Sequence, residues 1–514
     1  MNGKTDYNSI PNALLPRLSE YLTAKIGLHF PNRNRNELHQ KMTAAMTDFG
    51  FENVGEFIEW LLSSSPTQKQ TEILASHLTV GETYFFREKH VFEILEERII
   101  PELTNTRREN ERCLRFWSAG CCTGEEPYSI AILLHKMLPD LKAWNISILA
   151  TDINPRFLHK AAEGIYGKWS FRDCPQWVQE RYFQRSKKDQ FEILPEIKNM
   201  VSFSYLNLVE DSYPSLSSQT NAMDVIFCRN VLMYFAEEPA KKVVHNLSRS
   251  LVDEGWLVVS PAESTYVPSP PFAAVRFPDA FLYKKDSKPR KAKEIPDVFP
   301  PLLYKDTAAP ARPRVDTAPK RDTAPVREIK TVKRSEAKEK EAEKALPPYV
   351  KAQALYEQGR YGEATRELLE MVSHNQDMVT VMSLLARTYA NQGDLMEARR
   401  WCERAITKDK LVSGLHYLRA TILLEQGAAE EALMSLKRAL YLDPDFVLAH
   451  FAAGVLNSRQ GKLKETEKHF KNVITLLRNC QQKEILPESD GITAGRLGEI
   501  VGLISQEKGL SCQK

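Results

Sequence analysis

The chain has 514 residues, 42% of them apolar, with 70 basic and 67 acidic side chains and a net charge of +3. That length exceeds one ordinary domain, and the near-balanced charge excludes a nucleic-acid binder acting through bulk charge. Its eight cysteines (113, 121, 122, 174, 228, 402, 480 and 512) form no C-x-x-C pair, which argues against zinc or thioredoxin-type chemistry and suits a reducing compartment. The start, MNGKTDYNSIPNALLPRL, lacks a signal pattern, and no apolar run approaches the ~20 residues that span a bilayer. A soluble, cytoplasmic protein is expected, with no metal and no nucleic-acid partner.

Residues 10–80 read as a helical subdomain, with apolar residues at helical spacing in LLPRLSEYLTAKIGL, ELHQKMTAAM and VGEFIEWLLSS. From 81 to 284 the pattern becomes α/β. CLRFWSA, WNISILATDI, MVSFSYLNL, AMDVIFCRN and GWLVVSPAE read as buried strands. GEEPYSIAILLHKML, NPRFLHKAAEGIY and EPAKKVVHNLSRSLV read as the helices between them. Such alternation predicts a Rossmann-like parallel sheet with helices on both faces. Residues 285–348 are rich in Lys, Ala, Pro and Glu, and DTAAP at Asp306 is echoed by DTAP at Asp316 and Asp322. This composition buries too little apolar surface to offset the entropy of ordering, so a disordered linker is expected.

Residues 349–482 carry an internal repeat. Gly359, Gly393, Gly427 and Gly461 are 34 residues apart, and Ala364, Ala398, Ala432 and Thr466 keep the same step. That period resembles the tetratricopeptide repeat, an all-α stack of helix pairs, in about four units. The glycine closes the turn inside each pair, and the small residue lets the paired helices approach. Residues 483–514 are read as a tail that could form a capping helix.

The chemistry sits where strands end. In FWSAGCCTGEEPYSIA, Gly120 and Gly124 lie between a strand and a helix, where glycine permits a tight turn and close approach of a ligand. The segment is not the G-x-G-x-x-G fingerprint and has no phosphate-loop lysine; Glu125 and Glu126 disfavour a pyrophosphate and favour a cationic ligand. An ordinary turn with acids at a helix N-terminus would look similar. Asp152, ending the second strand in ATDIN, is placed to hold ribose hydroxyls, although Asp152 or Asn154 could instead cap the next helix. FCRNVLMYF puts Arg229 and Asn230 at the end of a third strand, ahead of Tyr234. In LTVGETYFFRE, Phe85 and Phe86 read as core, and Arg87 follows them.

Together with LNL at 206–208, these motifs resemble the CheR family of chemotaxis receptor methyltransferases, over roughly residues 10–284. With the repeats added, the chain is similar to CheR proteins fused to a C-terminal tetratricopeptide domain. The resemblance implies methyl transfer from S-adenosyl-L-methionine to glutamate side chains of methyl-accepting chemotaxis receptors. It implies cofactor contact for Thr83, Arg87, Asp152, Asn207, Leu208, Arg229 and Asn230, together with one or both of Glu125 and Glu126. Asp152 would hold the ribose, and Arg87 and Tyr234 would sit near the transferred methyl group. Many relatives have Asn where Gly81 stands, so Gly81 would offer the cofactor only backbone; many have Ser where Cys122 stands. Receptor contacts in the family come from basic residues of the N-terminal helices, represented here by Arg33, Arg35 and Lys41. Membrane contact is expected only through receptors, and the repeats are expected to bind a protein or peptide. Two other readings stay open: a cofactor-binding scaffold that acts through its repeats, and a methyltransferase with a different acceptor.

Overall fold

The computed structural model describes residues 10–31, 34–64, 66–107, 112–186, 189–210, 212–215, 218–277, 280–286, 347–374, 378–482, 484–489 and 492–507. The expected linker therefore lies almost wholly outside the described residues, as does Arg33. Four helices open the chain: α1 (Leu15–Ile26), α2 (Arg35–Asp48), α3 (Val54–Ser63) and α4 (Gln68–Leu78). Asn53 caps α3 by accepting from the amides of Gly55 and Glu56, and a Thr67–Gln70 capping box starts α4. Their apolar stripes meet in one core around Leu18, Leu22, Met42, Phe57 and Leu61.

α5 (Lys89–Ile94), a π-helical turn (Leu95–Ile99) and α6 (Ile100–Arg107) lead into the sheet. Its strands are β1 (Cys113–Ala119), β2 (Asn145–Asp152), β6 (Val201–Tyr205), β7 (Met223–Phe227), β8 (Leu251–Val258), β9 (Phe272–Arg276) and β10 (Phe281–Lys285). The order is β6-β2-β1-β7-β8-β10-β9, parallel up to β8 and antiparallel beyond it. The sheet is thus mixed where a parallel one was expected, because β9 and β10 form a hairpin whose second strand pairs antiparallel with β8. β1 is buried from Leu114 onward, as a central strand covered on both faces must be. Neighbouring side chains go to opposite cores: Phe116 joins α5, α6 and α7 (Glu125–Met137), and Trp117 joins α11 (Glu237–Ser250).

A second, antiparallel sheet was not foreseen. It consists of β3 (Ile165–Gly167), β5 (Gln190–Ile193) and β4 (Phe183–Arg185), accompanied by α9 (Gln176–Tyr182) and α10 (Pro195–Lys198). Its first strand starts at Ile165 and Tyr166, which the helical pattern had absorbed. α8 (Pro155–Glu163) stops because Gly164 takes a left-handed φ of 69° and its amide closes on Lys160. Similarly, the strand expected to run through SPAE ends at Val258, since Pro261 starts a 3₁₀ turn (Pro261–Tyr266).

The repeat region is all helical: pairs 348–357/361–373, 379–391/395–408, 413–425/429–442 and 447–459/463–477, then a last helix at 494–507. Gly359, Gly393, Gly427 and Gly461 all have positive φ, between 72° and 81°, which explains the 34-residue glycine period. Ala364, Ala398, Ala432 and Thr466 are fully buried where paired helices touch. The stack rests on the edge of the sheet where the parallel strands begin. Glu425 meets Arg115 of β1 at 3.6 Å, and its carbonyl accepts from Asn145 of β2 at 3.1 Å. Tyr361 lies under Lys285, and Gly359 lies against Arg249. Among the described residues, no helix is long and apolar enough to cross a membrane.

Candidate active site

The opposite edge of the sheet, where the parallel strands end, is open. After Ala119 the chain turns sharply: the amides of Gly120 and Cys121 both donate to the Thr151 carbonyl, at 2.8 and 2.9 Å. Gly120 has φ 81°, and a Cβ there would stand 2.4 Å from Val231, so no other residue fits. Gly124, at φ 93°, then starts α7. The turn brings the Cys122 amide to 2.8 Å from Asp152 Oδ2, while the Asn154 amide donates to Oδ1 at 2.8 Å. Burial pushes the Asp152 carboxyl up to about 6, against the pull of the Asn154, Cys122 and Ile153 amides. Asn154 caps α8 through the amides of Arg156 and Phe157, which leaves Asp152 free of that duty and facing the cleft.

Asp152, Asn207, Leu208, Arg229, Asn230 and Tyr234 line this cleft, and from the other side so do Thr83, Arg87 and Glu126. Gly81 and Glu125 do not. The Glu125 carboxylate is spent on the hydroxyls of Thr123 (2.6 Å) and Ser170 (3.0 Å). Gly81 sits outside the lining, and a Cβ there would stand 2.5 Å from the Phe157 ring; Phe157 itself fills that wall. Glu126, half-buried and with its carboxyl pushed up by desolvation, accepts from Ser118 at 2.7 Å and pairs with Arg229 at 3.3 Å. Arg229 reaches on to Glu88 at 3.0 Å and to the Arg87 carbonyl at 2.9 Å, so it fastens the segment carrying Arg87 to the sheet. Arg87 donates to the Glu82 carbonyl at 2.7 Å, and burial raises the Tyr234 hydroxyl, against the pull of Arg87.

The helical subdomain closes one side. Asn207 donates to the Lys25 carbonyl of α1 at 2.8 Å, Asn154 donates to Thr79 at 2.8 Å, and the His29 amide donates to the Tyr234 carbonyl at 2.8 Å. Phe85 and Phe86 are buried, as expected of core rings. Arg35 lies on α2, and Lys41 of the same helix pairs with Glu37 and donates to the Leu78 carbonyl.

One residue escaped the sequence reading. Glu263 is fully buried, and its carboxylate accepts from the amides of Asn230 (2.9 Å), Val231 (2.6 Å) and Ser260 (2.9 Å), and from the Ser260 hydroxyl (2.5 Å). It holds the turn from Asn230, at φ 58°, to Tyr234. Ser260 and Glu263 form a capping box, and the S-x-x-E spacing was the signal available. Among the described residues, no group of three or more His, Cys, Asp or Glu could hold a metal ion.

Residues 81–273 match the profile of the CheR methyltransferase SAM-binding domain, and 349–411 and 413–446 match tetratricopeptide repeats. A chemotaxis protein methyltransferase of Borreliella burgdorferi is 30% identical over 252 residues, covering 49% of this chain and 87% of that protein. This chain belongs to the CheR methyltransferase family. S-adenosylmethionine is therefore its methyl donor. Chemotaxis protein methyltransferase 2 of Vibrio cholerae is 30% identical over 53% of this chain and 92% of its own length. The "probable biofilm formation methyltransferase WspC" of Pseudomonas aeruginosa is 27% identical over 444 residues, 85% of this chain and 93% of that protein.

Proposed function

We propose that this CheR-family protein methylates glutamate side chains of methyl-accepting chemotaxis receptors, forming glutamate methyl esters and S-adenosylhomocysteine. The observation that carries the reading is a cleft that joins a buried carboxylate, Asp152, to an Arg87–Tyr234 rim; transfer to a carboxylate asks for no general base. A glutamate acceptor needs none, because with a reference pKa of about 4.3 it is already ionised near neutrality.

The donor set suits the cofactor. Asp152 would accept the ribose hydroxyls, Leu208, Ile153 and Phe157 line the cleft as apolar walls, and Glu126 would offer negative charge to a cationic cofactor. When bound, the cofactor supplies an electrophilic methyl group. Arg87 and Tyr234 orient the incoming carboxylate by charge-assisted and hydroxyl hydrogen bonds. Alignment of both reactants by the whole cleft can contribute up to roughly 7–11 kcal/mol, of which these two side chains supply a part. A tight Arg87–carboxylate pair would stabilise the ground state, so Arg87 is a positioning group rather than the dominant source of rate.

The repeats bind a protein or peptide, for which stacked helix pairs offer a concave face. A second reading concerns the pathway. The Pseudomonas aeruginosa relative named for biofilm formation matches across the repeats, whereas the match to the Borreliella burgdorferi protein covers 49% of the chain. That favours a receptor array governing surface behaviour over one governing swimming. The test is transfer of labelled methyl from the cofactor to membranes bearing the organism's receptors, followed by mild alkali. Base-labile label on a receptor-sized band is expected. Base-stable label would sink the glutamate assignment, and no label with intact cofactor binding would favour the scaffold reading.

A further inference from the structure

Beside the cleft mouth, cationic and aromatic side chains are layered outward. The Arg87 guanidinium lies 5.7 Å from the centre of the Tyr84 ring, and the Arg172 guanidinium covers that ring at 3.9 Å. Arg172 in turn lies 4.7 Å from the ring of Trp169, whose carbonyl it also engages at 3.1 Å. Its charge is already answered by Glu82 at 3.3 Å, and its side chain is only 16% exposed. Trp169 is 75% exposed, the most exposed large apolar side chain among the described residues of the sheet domain.

Single exposed apolar residues are ordinary. This one differs in its mounting. The Phe85 amide donates to the Ser170 carbonyl at 2.9 Å, the Ser170 hydroxyl donates to Glu125, and Phe171 stacks on buried Phe85 at 5.0 Å. The turn carrying Trp169 is therefore fastened to the GETYFFRE segment that also carries Arg87. A rigid indole loses little entropy on contact, and Trp, Tyr and Arg are the residue types that dominate binding hot spots. Because Arg172 and Lys168 are already paired, the second with Asp189, the contact offered is apolar rather than anion-binding.

We infer that Trp169, on its Arg172 support, is the docking point for the stretch of acceptor protein flanking the reacting glutamate, and that it takes an apolar side chain of that stretch. The inference rests on the reading that the acceptor is a protein glutamate. It makes Trp169 a specificity residue outside the cleft.

The test is base-labile methyl ester formation against receptor concentration for the wild type, Trp169→Ala and Trp169→Phe, with S-adenosylhomocysteine affinity measured by calorimetry. Trp169→Ala should raise KM for the receptor about tenfold, in line with loss of one hot spot, at wild-type cofactor affinity. Trp169→Phe should recover most of it. A photo-crosslinker at position 169 should attach within about two helical turns of the methylated glutamate. An unchanged KM, or a crosslink mapping far from the methylation site, overturns the docking point and leaves the glutamate reading standing. Absence of base-labile ester with the wild type overturns both.

Discussion

The two edges of the large sheet both bury charge, and they use it differently. At the edge where the parallel strands begin, Arg115 and Glu425 meet across a domain boundary, with side chains 7% and 2% exposed, and Lys285 is held against Asp253 and the Tyr361 ring. Burial pushes the Glu425 carboxyl up while Arg115 and Asn221 oppose it, and burial pulls the Lys285 ammonium down to about 8. Each of these charges faces an opposite charge of the protein, at 3.6 Å for Arg115 with Glu425 and 3.7 Å for Lys285 with Asp253. At the edge where the strands end, Asp152 receives only backbone amides from the protein and turns its remaining capacity to an open cleft. Buried charge alone thus does not mark a ligand site. Buried charge left facing a cavity does.

The comparison breaks most severely at Glu263. Glu263→Ala removes the acceptor of four strong donors and should cost roughly 3–5 kcal/mol, seen as a lowered unfolding midpoint in urea. Glu263→Gln keeps the shape; it should fold, yet lower kcat more than it weakens cofactor binding, because the turn to Tyr234 loosens. Normal turnover in Glu263→Gln would show that the turn needs no carboxylate.

Next in size is the opposite edge. Glu425→Ala strands Arg115 and should cost about 3 kcal/mol of docking, read as a larger radius in small-angle scattering with unchanged cofactor affinity. Pairing Glu425→Leu with Arg115→Met should restore the compact form, since an apolar pair of similar volume replaces a buried ion pair without loss. If both variants scatter like the wild type, the pair does not hold the repeats in place.

Asp152 gives the third effect. Asp152→Asn should weaken S-adenosylhomocysteine binding by about 2 kcal/mol, the worth of hydrogen bonds to a charged acceptor. In the proposed contact ribose hydroxyls would donate to the ionised form, and the carboxyl is held up at about 6 by burial. Wild-type affinity should therefore fall as the pH drops through that value, approaching tenfold per unit, and the Asn variant should show no such slope. A flat wild-type profile in calorimetry would remove Asp152 from the cofactor contact.

Much of the cleft was legible because strand ends carry short, local signals. Gly120 and Gly124 announce a turn, and Asp152 closes an apolar strand, so both could be placed before any coordinates. Glu125 and Glu126 could not be separated: adjacent helix residues point about 100° apart, and only the packing of Ser170 and Ser118 decides which one faces the cleft. Glu263 was missed because its partners at the cleft, the amides of Asn230 and Val231, lie about thirty residues earlier in the chain, and the nearby Ser260 marks only a helix cap. The small antiparallel sheet was missed for a local reason, since α8 and β3 are separated by a single glycine. In the repeats the period was legible, but the docking was not, as nothing in the repeat pattern marks Glu425 as facing another domain.

The smallest effect separates repeat architecture from docking. Gly359 and Gly427 hold the same place in their repeats, with φ of 74° and 76°. A Cβ at Gly427 meets nothing within 4 Å, whereas one at Gly359 would stand 2.5 Å from Arg249 of the sheet domain. Gly427→Ala should therefore cost only the left-handed strain, roughly 1–2 kcal/mol. Gly359→Ala should cost that strain and also displace Arg249 from the interface. The difference between the two in thermal unfolding, with scattering to follow compactness, isolates the contact from the turn. Equal losses and equal radii would mean that the first repeat touches the sheet domain without being held by it, and that the contacts of Glu425 with Arg115 and Asn145 carry the docking.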